Sequence, residues 1–333
     1  MLLRAEPFTL DLRLTWRIAH GASQQRCNVI ARLSDGDLTG LGEGAGVPHW
    51  NETPDGIVQY LAAAADLLGD DPALIETILN RLPPGSRAGR AALDIALHDL
   101  WSQRLGQPLY RLFGLDPSAA PPTSFTIAMD EPTVMAERAA QSGYPILKIK
   151  LGSPDDEAIV AVIRQATDAR LRVDANAAWT RQQAADLIPR LAAYDLELVE
   201  QPLPRQDIEG LRWLRQQKLG VPIFADESVC DAHEVAALAG AVDGVVIKLM
   251  KTGGLREALR AIHTARALDM QVMISCMVET SVAVTAAAHL APLCDYADLD
   301  GPLLIKNDPF EGVRYQGAKL CLSDRPGLGV TPR

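Results

Sequence analysis

Six residues of kinds that move protons or hold cations close short apolar runs in this sequence. Lys148 and Lys150 lie in the run 146–150, Asp174 ends 171–174, Glu200 ends 196–200, Asp226 ends 223–226 and Lys248 ends 245–248. From Lys150 onward successive charges lie 22 to 26 residues apart, the length of one strand, one helix and two short loops. In an α/β barrel the chemistry sits where the parallel strands end, so this rhythm predicts one mouth lined by three carboxylates with lysines on both sides. Hard divalent cations take oxygen ligands, and magnesium is held by a few carboxylates with positions left for water or substrate. No His or Cys stands at a matching strand end to favour zinc. One carboxylate at a strand end usually caps a helix or pairs with a lysine. Three in succession, Asp174, Glu200 and Asp226, point to a shared Mg2+, one per subunit.

Lys148 and Lys150 are two residues apart in a strand pattern and therefore share a face. Two ammonium groups held together disfavour each other's charge, which is expected to lower a lysine pKa toward the range of a working base. Lys248 is expected on the far side of the carboxylates. A substrate carboxylate at the metal would place its α-carbon between the two sets of lysines, an arrangement that removes a proton from one face and returns it to the other. Lys218 and Lys251 read as surface lysines.

The elements that must position these residues follow from the pattern along the chain. Residues 8–17 and 28–33 read as strands, with the polar stretch 19–27 between them as a loop of functional length. Gly36, Gly40, Gly42, Gly44 and Gly46 read as turns, since no phosphate-binding Lys-Ser/Thr follows them. Residues 53–114 are mostly helical in pattern, so the first 120 residues form an α+β cap. His98, within a helix and near aspartate, reads as structural. The Pro/Ala-rich stretch 117–122 is the expected boundary. Beyond it, 124–127, 272–275 and 296–300 bring the strand count to eight, separated by helices near 180–194, 207–218, 232–239, 255–268 and 282–290. The fold class is α/β: a parallel barrel over 121–309, with the tail 310–333 rejoining the cap.

Bulk properties narrow the function classes. The 333 residues are 48% hydrophobic, enough for a sizeable core, and carry a net charge of -10 without a cluster of Lys or Arg, which argues against nucleic acid. No apolar run reaches the ~18 residues of a membrane span, and the first residues lack a signal-peptide core, so a cytoplasmic location is expected. Cys27, Cys230, Cys276, Cys294 and Cys321 are scattered and read as reduced thiols.

The motifs Lys148-Ile-Lys150, Asp174-Ala-Asn176, Glu200-Gln-Pro202, Asp226-Glu-Ser228 and Lys248-Leu-Met-Lys-Thr-Gly-Gly254 together resemble the enolase superfamily, in its muconate-lactonising-enzyme branch. The resemblance implies a modified TIM barrel, (β/α)7β, with a capping domain. It implies Mg2+ on Asp174, Glu200 and Asp226, acid–base catalysis by Lys150 and Lys248, and support of Lys150 by Lys148. The branch holds cycloisomerases, o-succinylbenzoate synthases, N-acylamino acid racemases and dipeptide epimerases on one shared core. Asp298-Leu-Asp300 resembles the dipeptide epimerase signature, in which the two acids receive a substrate's α-ammonium group; two carboxylates two residues apart can hold one cation. By the same resemblance Arg26 meets a glutamate side chain, Thr126 is a polar contact, Ser275, Cys276 and Met277 form the pocket floor, and Glu279 supports Lys248. The implied activity is epimerisation of a small dipeptide, L-Ala-D/L-Glu, in murein peptide metabolism. The alternatives are another activity of the branch or a noncatalytic binding barrel. The sequence leaves open whether the chain works alone or as a homo-oligomer.

Overall fold

The structure, a computed structural model, describes residues 1–19, 21–46, 50 and 52–333. Strands β1 (Leu2–Ile18), β2 (Gly21–Asp35) and β3 (Leu38–Ala45) form an antiparallel sheet in that order, followed by helices α1 (Pro54–Ala65), α2 (Ile75–Arg81) and α3 (Arg87–Arg104). Thr53 and Ser86 cap α1 and α3 by accepting from the amides of Gly56 and Gly89.

Two expectations for this region are corrected. The polar stretch 19–27 is mostly strand, because β2 begins at Gly21 and Ala22 and Ser23 pair with Arg17 and Trp16. His20 of that stretch lies outside the described residues. The outer part of this ribbon is exposed on much of both faces, so it lacks the apolar alternation of a half-buried strand. Gly40, Gly42 and Gly44 are not turns. They lie in β3 under α3, where a Cβ at Gly42 would come within 1.9 Å of the Ala92 carbonyl oxygen and one at Gly40 within 2.1 Å of that of Ala96. A strand bare on that face is what lets the helix approach. Gly36, with φ of 59°, is the turn glycine between β2 and β3.

The eight expected barrel strands are all present. β4 (Phe125–Ile127), β5 (Ile146–Lys150), β6 (Arg170–Asp174), β7 (Leu196–Glu200), β8 (Ile223–Ala225), β9 (Gly244–Lys248), β10 (Gln271–Ser275) and β11 (Tyr296–Asp298) form one sheet in sequence order, and their pairings are parallel. A parallel bridge between Thr123 and Ala297 brings the first and last strands together.

Alternation along these strands sorts side chains into layers. Outward residues such as Leu147, Ile149, Val173, Val199, Val245, Ile247 and Ile274 join the large core beneath the helices. Inward residues Leu198, Phe224, Val246 and Met273, with Tyr296 against them, form a separate cluster inside the barrel. Two residues further along each of these strands stand Glu200, Asp226, Lys248, Ser275 and Asp298. The same period that buries an apolar floor therefore lifts a polar layer above it at the strand ends. Arg172, 2% exposed, completes the floor, with Nε on Glu197 at 2.7 Å and its guanidinium over the Tyr296 ring at 5.0 Å.

The tail forms two short ribbons, Phe310–Glu311 with Thr331–Pro332 and Arg314–Gln316 with Lys319–Cys321. It reaches α3, where the Leu328 amide donates to Asp99 Oδ1 at 2.8 Å. Among the described residues no helix is long and apolar enough to cross a membrane.

Candidate active site

Asp174 and Glu200 end β6 and β7 and pair directly in register, while Asp226 follows β8. All three are buried, and each offers an oxygen such that the three lie within 4.8 Å of one another. Burial together with Asp174 and Asp226 on either side pushes the Glu200 carboxyl well above its usual range. That crowding of like charge is what a divalent cation relieves, and the all-oxygen donor set suits magnesium.

Each side of this triad carries a lysine. Lys150 Nζ donates to Asp174 Oδ2 at 2.6 Å, and Lys248 Nζ donates to Asp226 Oδ2 at 2.6 Å. Burial alone would raise the pKa of Asp174, but Lys150 and Lys148 draw it down to about 2. Lys148 lies deeper, 2.7 Å from Glu200 Oε2, 2.9 Å from Asp298 Oδ2 and 3.4 Å from Asp174 Oδ2. For Lys148 itself the expected lowering is not seen. Burial would lower Lys148 itself, but Asp298, Glu200 and Asp174 hold it well above the usual lysine range. Lys248 is likewise raised, by Asp226 against the effect of burial.

The Asp298/Asp300 pair divides. Asp298 accepts from Lys148 and from Ser275 Oγ at 2.9 Å each and from Ser124 Oγ at 2.7 Å, and it is held far below the carboxylate range against its burial. Asp300 accepts from the Thr126 amide at 2.7 Å and has no ion-pair partner among the described residues. Burial and the charge of Asp298 raise its carboxyl to about 7. The two acids do not present an equivalent pair to the cavity.

Both line a cavity of about 370 Å³ with Thr126, Lys148, Lys150, Lys248, Cys276 and Met277. Ser275 lies beneath it, bonded to Asp298. The β1–β2 ribbon closes the opposite wall with Trp16, Ile18, Ala22 and Arg26. Arg26 is half-buried, lies opposite Leu10 in the ribbon, and has no hydrogen-bond or ion-pair partner among the described residues; partial burial pulls its guanidinium below the usual range. The Trp16 ring lies 6.0 Å from Lys150 Nζ. Glu279 accepts from the Met277 amide at 2.9 Å, and burial and nearby Glu43 push it up to about 8. Its hydrogen bond is to that amide and not to Lys248. His98 is structural as expected, bonded to the Asp94 carbonyl at 2.9 Å.

Three residues here were given no part in the site by the sequence. Glu227 lines the cavity beside Asp226, with burial and Asp226 raising it to about 6. Fully buried Glu43 accepts from the Thr280 hydroxyl and amide and from Asn28, tying β2 and β3 to the loop after β10. Lys251, expected at the surface, is fully buried against Asp226.

Residues 6–114 match the family described as mandelate racemase / muconate lactonizing enzyme, N-terminal domain, and residues 133–333 match the enolase C-terminal domain-like family. The chain belongs to the enolase superfamily. An L-Ala-D/L-Glu epimerase of Bacteroides thetaiotaomicron is 40% identical over 330 residues, covering 97% of this chain and 86% of the relative. A dipeptide epimerase from Enterococcus faecalis V583, solved with Mg and the dipeptide L-Leu-L-Tyr, superposes with a TM-score of 0.94 at 36% identity, over 99% of this chain and 98% of that one. An N-succinyl Arg/Lys racemase from Bacillus cereus superposes with a TM-score of 0.93 at 28% identity, over 99% of this chain and 95% of that one. The chain is an enzyme of this superfamily, an isomerase of the racemase and epimerase class. The shared core spans more than one substrate class, so the rim of the cavity has to decide among them.

Proposed function

We propose that this chain is a magnesium-dependent dipeptide epimerase acting best on L-Ala-D/L-Glu, inverting the α-carbon of the C-terminal residue. The observation that carries this reading is a pair of uncompensated charges around the lysines. Among the described residues, Asp300 faces the cavity with no cation of its own and Arg26 faces it with no acid of its own. A dipeptide ending in glutamate brings an α-ammonium group for the first and a side-chain carboxylate for the second, where guanidinium offers a bidentate contact.

Asp174, Glu200 and Asp226 hold the cation, whose chemistry is Lewis-acid stabilisation of negative charge developing on the substrate's α-carboxylate. Lys150 and Lys248, on opposite flanks of the triad, face the two sides of the α-carbon. The one present as free amine removes the α-proton, an enolate forms, and the ammonium opposite returns a proton to the other face. Positioned general acids and bases of this kind contribute about 10²–10⁴-fold each. Lys148 acts through its neighbours, holding Glu200 and Asp298 in place. Cys276, Met277 and Thr126 shape the wall near Asp300. Residues 1–120 with 310–333 serve as the cap and 121–309 as the barrel, so that the cap supplies Arg26 and the barrel the proton-transfer groups.

An N-acylamino acid racemase, an o-succinylbenzoate synthase or a cycloisomerase would use the same core. Their substrates bring no cation to Asp300, and ionising it uncompensated in a buried wall is costly. A panel of dipeptides and N-acyl amino acids incubated with enzyme and magnesium, read by chiral chromatography, tests the reading. L-Ala-L-Glu and L-Ala-D-Glu should interconvert fastest. Racemisation of an N-acyl amino acid faster than any dipeptide would overturn it.

A further inference from the structure

Asp226 is the least supported member of the triad by its backbone. Asp174 and Glu200 end five-residue strands and pair with each other in the ladder. Asp226 lies just past β8, a three-residue strand that pairs through only two residues with each neighbour. Its amide is held by Gln201 Oε1 at 2.8 Å and its carbonyl accepts from the Val229 amide at 3.0 Å, but its carboxylate needs another anchor.

Lys251 is that anchor. It sits in the helical turn Leu249–Thr252, is 0% exposed, and donates to Asp226 Oδ1, to the Asp226 carbonyl and, at 3.0 Å, to the Val246 carbonyl. An ammonium group has three donors, so these contacts use all of them and leave none for substrate. Lys248 takes the other oxygen, Asp226 Oδ2, from the cavity side. The turn that carries Lys251 is itself fixed from the cap. Arg87 of α3 donates to the Lys251 carbonyl at 3.1 Å and to the Cys230 carbonyl at 2.6 Å, clamping together the loops after β8 and β9. A charge this deep is costly to bury and persists only with partners of this quality.

We propose that Lys251 is a positioning residue of the cation site: it locks the Asp226 carboxylate so that Oδ2 faces the triad and Lys248 while Oδ1 is withheld from coordination. This rests on reading Asp226 as a cation ligand, and the test separates the two. Groups that orient a metal ligand from behind typically contribute 10–100-fold to metal affinity. Calorimetric titration of the full chain with magnesium alone should therefore show the dissociation constant rising by about 10–100-fold in Lys251→Met. Lys251→Gln, which keeps one donor for Oδ1, should show a smaller rise and carries the test if Lys251→Met does not fold. Turnover at saturating magnesium should fall by a smaller factor than magnesium affinity does in both. Wild-type magnesium affinity in a folded Lys251→Gln or Lys251→Met would overturn the proposal, whether stability alone falls or turnover is lost instead. Asp226→Asn is the control. If it loses magnesium while the Lys251 variants keep it, the positioning role alone fails; if it binds magnesium normally, the ligand assignment fails and the positioning role with it.

Discussion

In the layer built by Lys148, Lys150, Asp174, Glu200, Asp226 and Lys248, every charge has a partner of opposite sign within the barrel. At the rim, Asp300 and Arg26 have no ion-pair partner among the described residues. The first region is complete in itself and, on the proposed reading, fixes a type of reaction: a proton taken from one face of a carbon and returned to the other. The second is incomplete, and on the same proposal what is missing describes the substrate. Buried or half-buried charges without partners are costly unless a ligand supplies them, so the two regions divide catalysis from recognition.

That division can be broken or sharpened by substitution. The largest losses should come from the saturated layer. Lys150→Ala and Lys248→Ala should each reduce turnover by at least about 10²–10⁴-fold in a steady-state epimerisation assay, while magnesium binding persists, because neither lysine is a ligand. Loss of magnesium binding in these variants would mean the lysines are structural counter-ions only.

Asp300→Asn should act next. Losing a charged hydrogen bond of about 1.5–3 kcal/mol lowers kcat/KM for L-Ala-L-Glu by about 10–100-fold, with little effect on an analogue lacking the α-amino group. The sign of the pH dependence follows from the raised carboxyl. With a pKa of about 7 in the free enzyme, Asp300 is protonated below neutrality and cannot pair with the ammonium. The kcat/KM for the dipeptide should thus fall as pH drops below about 7, and Asp300→Asn should flatten that limb. An unchanged limb in the variant would assign it to another group.

Arg26→Leu should have the smallest effect, about 10-fold on dipeptides ending in glutamate, as expected for one exchanged charged contact, and none on dipeptides ending in an apolar residue. A parallel panel of L-Ala-L-Glu and L-Ala-L-Leu reads this directly; equal losses on both would place Arg26 outside the substrate contacts.

The difference between the regions also explains what was legible in the sequence. The strand-end charges were visible because period-two alternation forces the residue above each inward apolar side chain to point into the mouth, as with Val246 and Lys248 or Leu198 and Glu200. Lys251 was not, because its burial depends on the loops after β8 and β9 meeting beneath Arg87, a contact between segments distant in sequence. The part of the ribbon that carries Arg26, 19–27, reads as a loop because strand pairing exposed on both faces leaves no hydrophobic pattern. Gly40, Gly42 and Gly44 misled for a related reason: their spacing marks a bare strand face, but only α3 lying on it shows why. The unequal roles of Asp298 and Asp300 depend on Lys148 reaching across the barrel from β5 to β11.

Proton NMR of L-Ala-L-Glu with the enzyme and magnesium in deuterated water tests two-lysine inversion most directly. The α-proton signal of the glutamate should disappear as the L-Ala-D-Glu diastereomer grows in carrying deuterium at that carbon, and nothing should exchange at the alanine α-carbon. An epimer that keeps its original α-proton through many turnovers, or no exchange at all, would contradict proton transfer between Lys150 and Lys248.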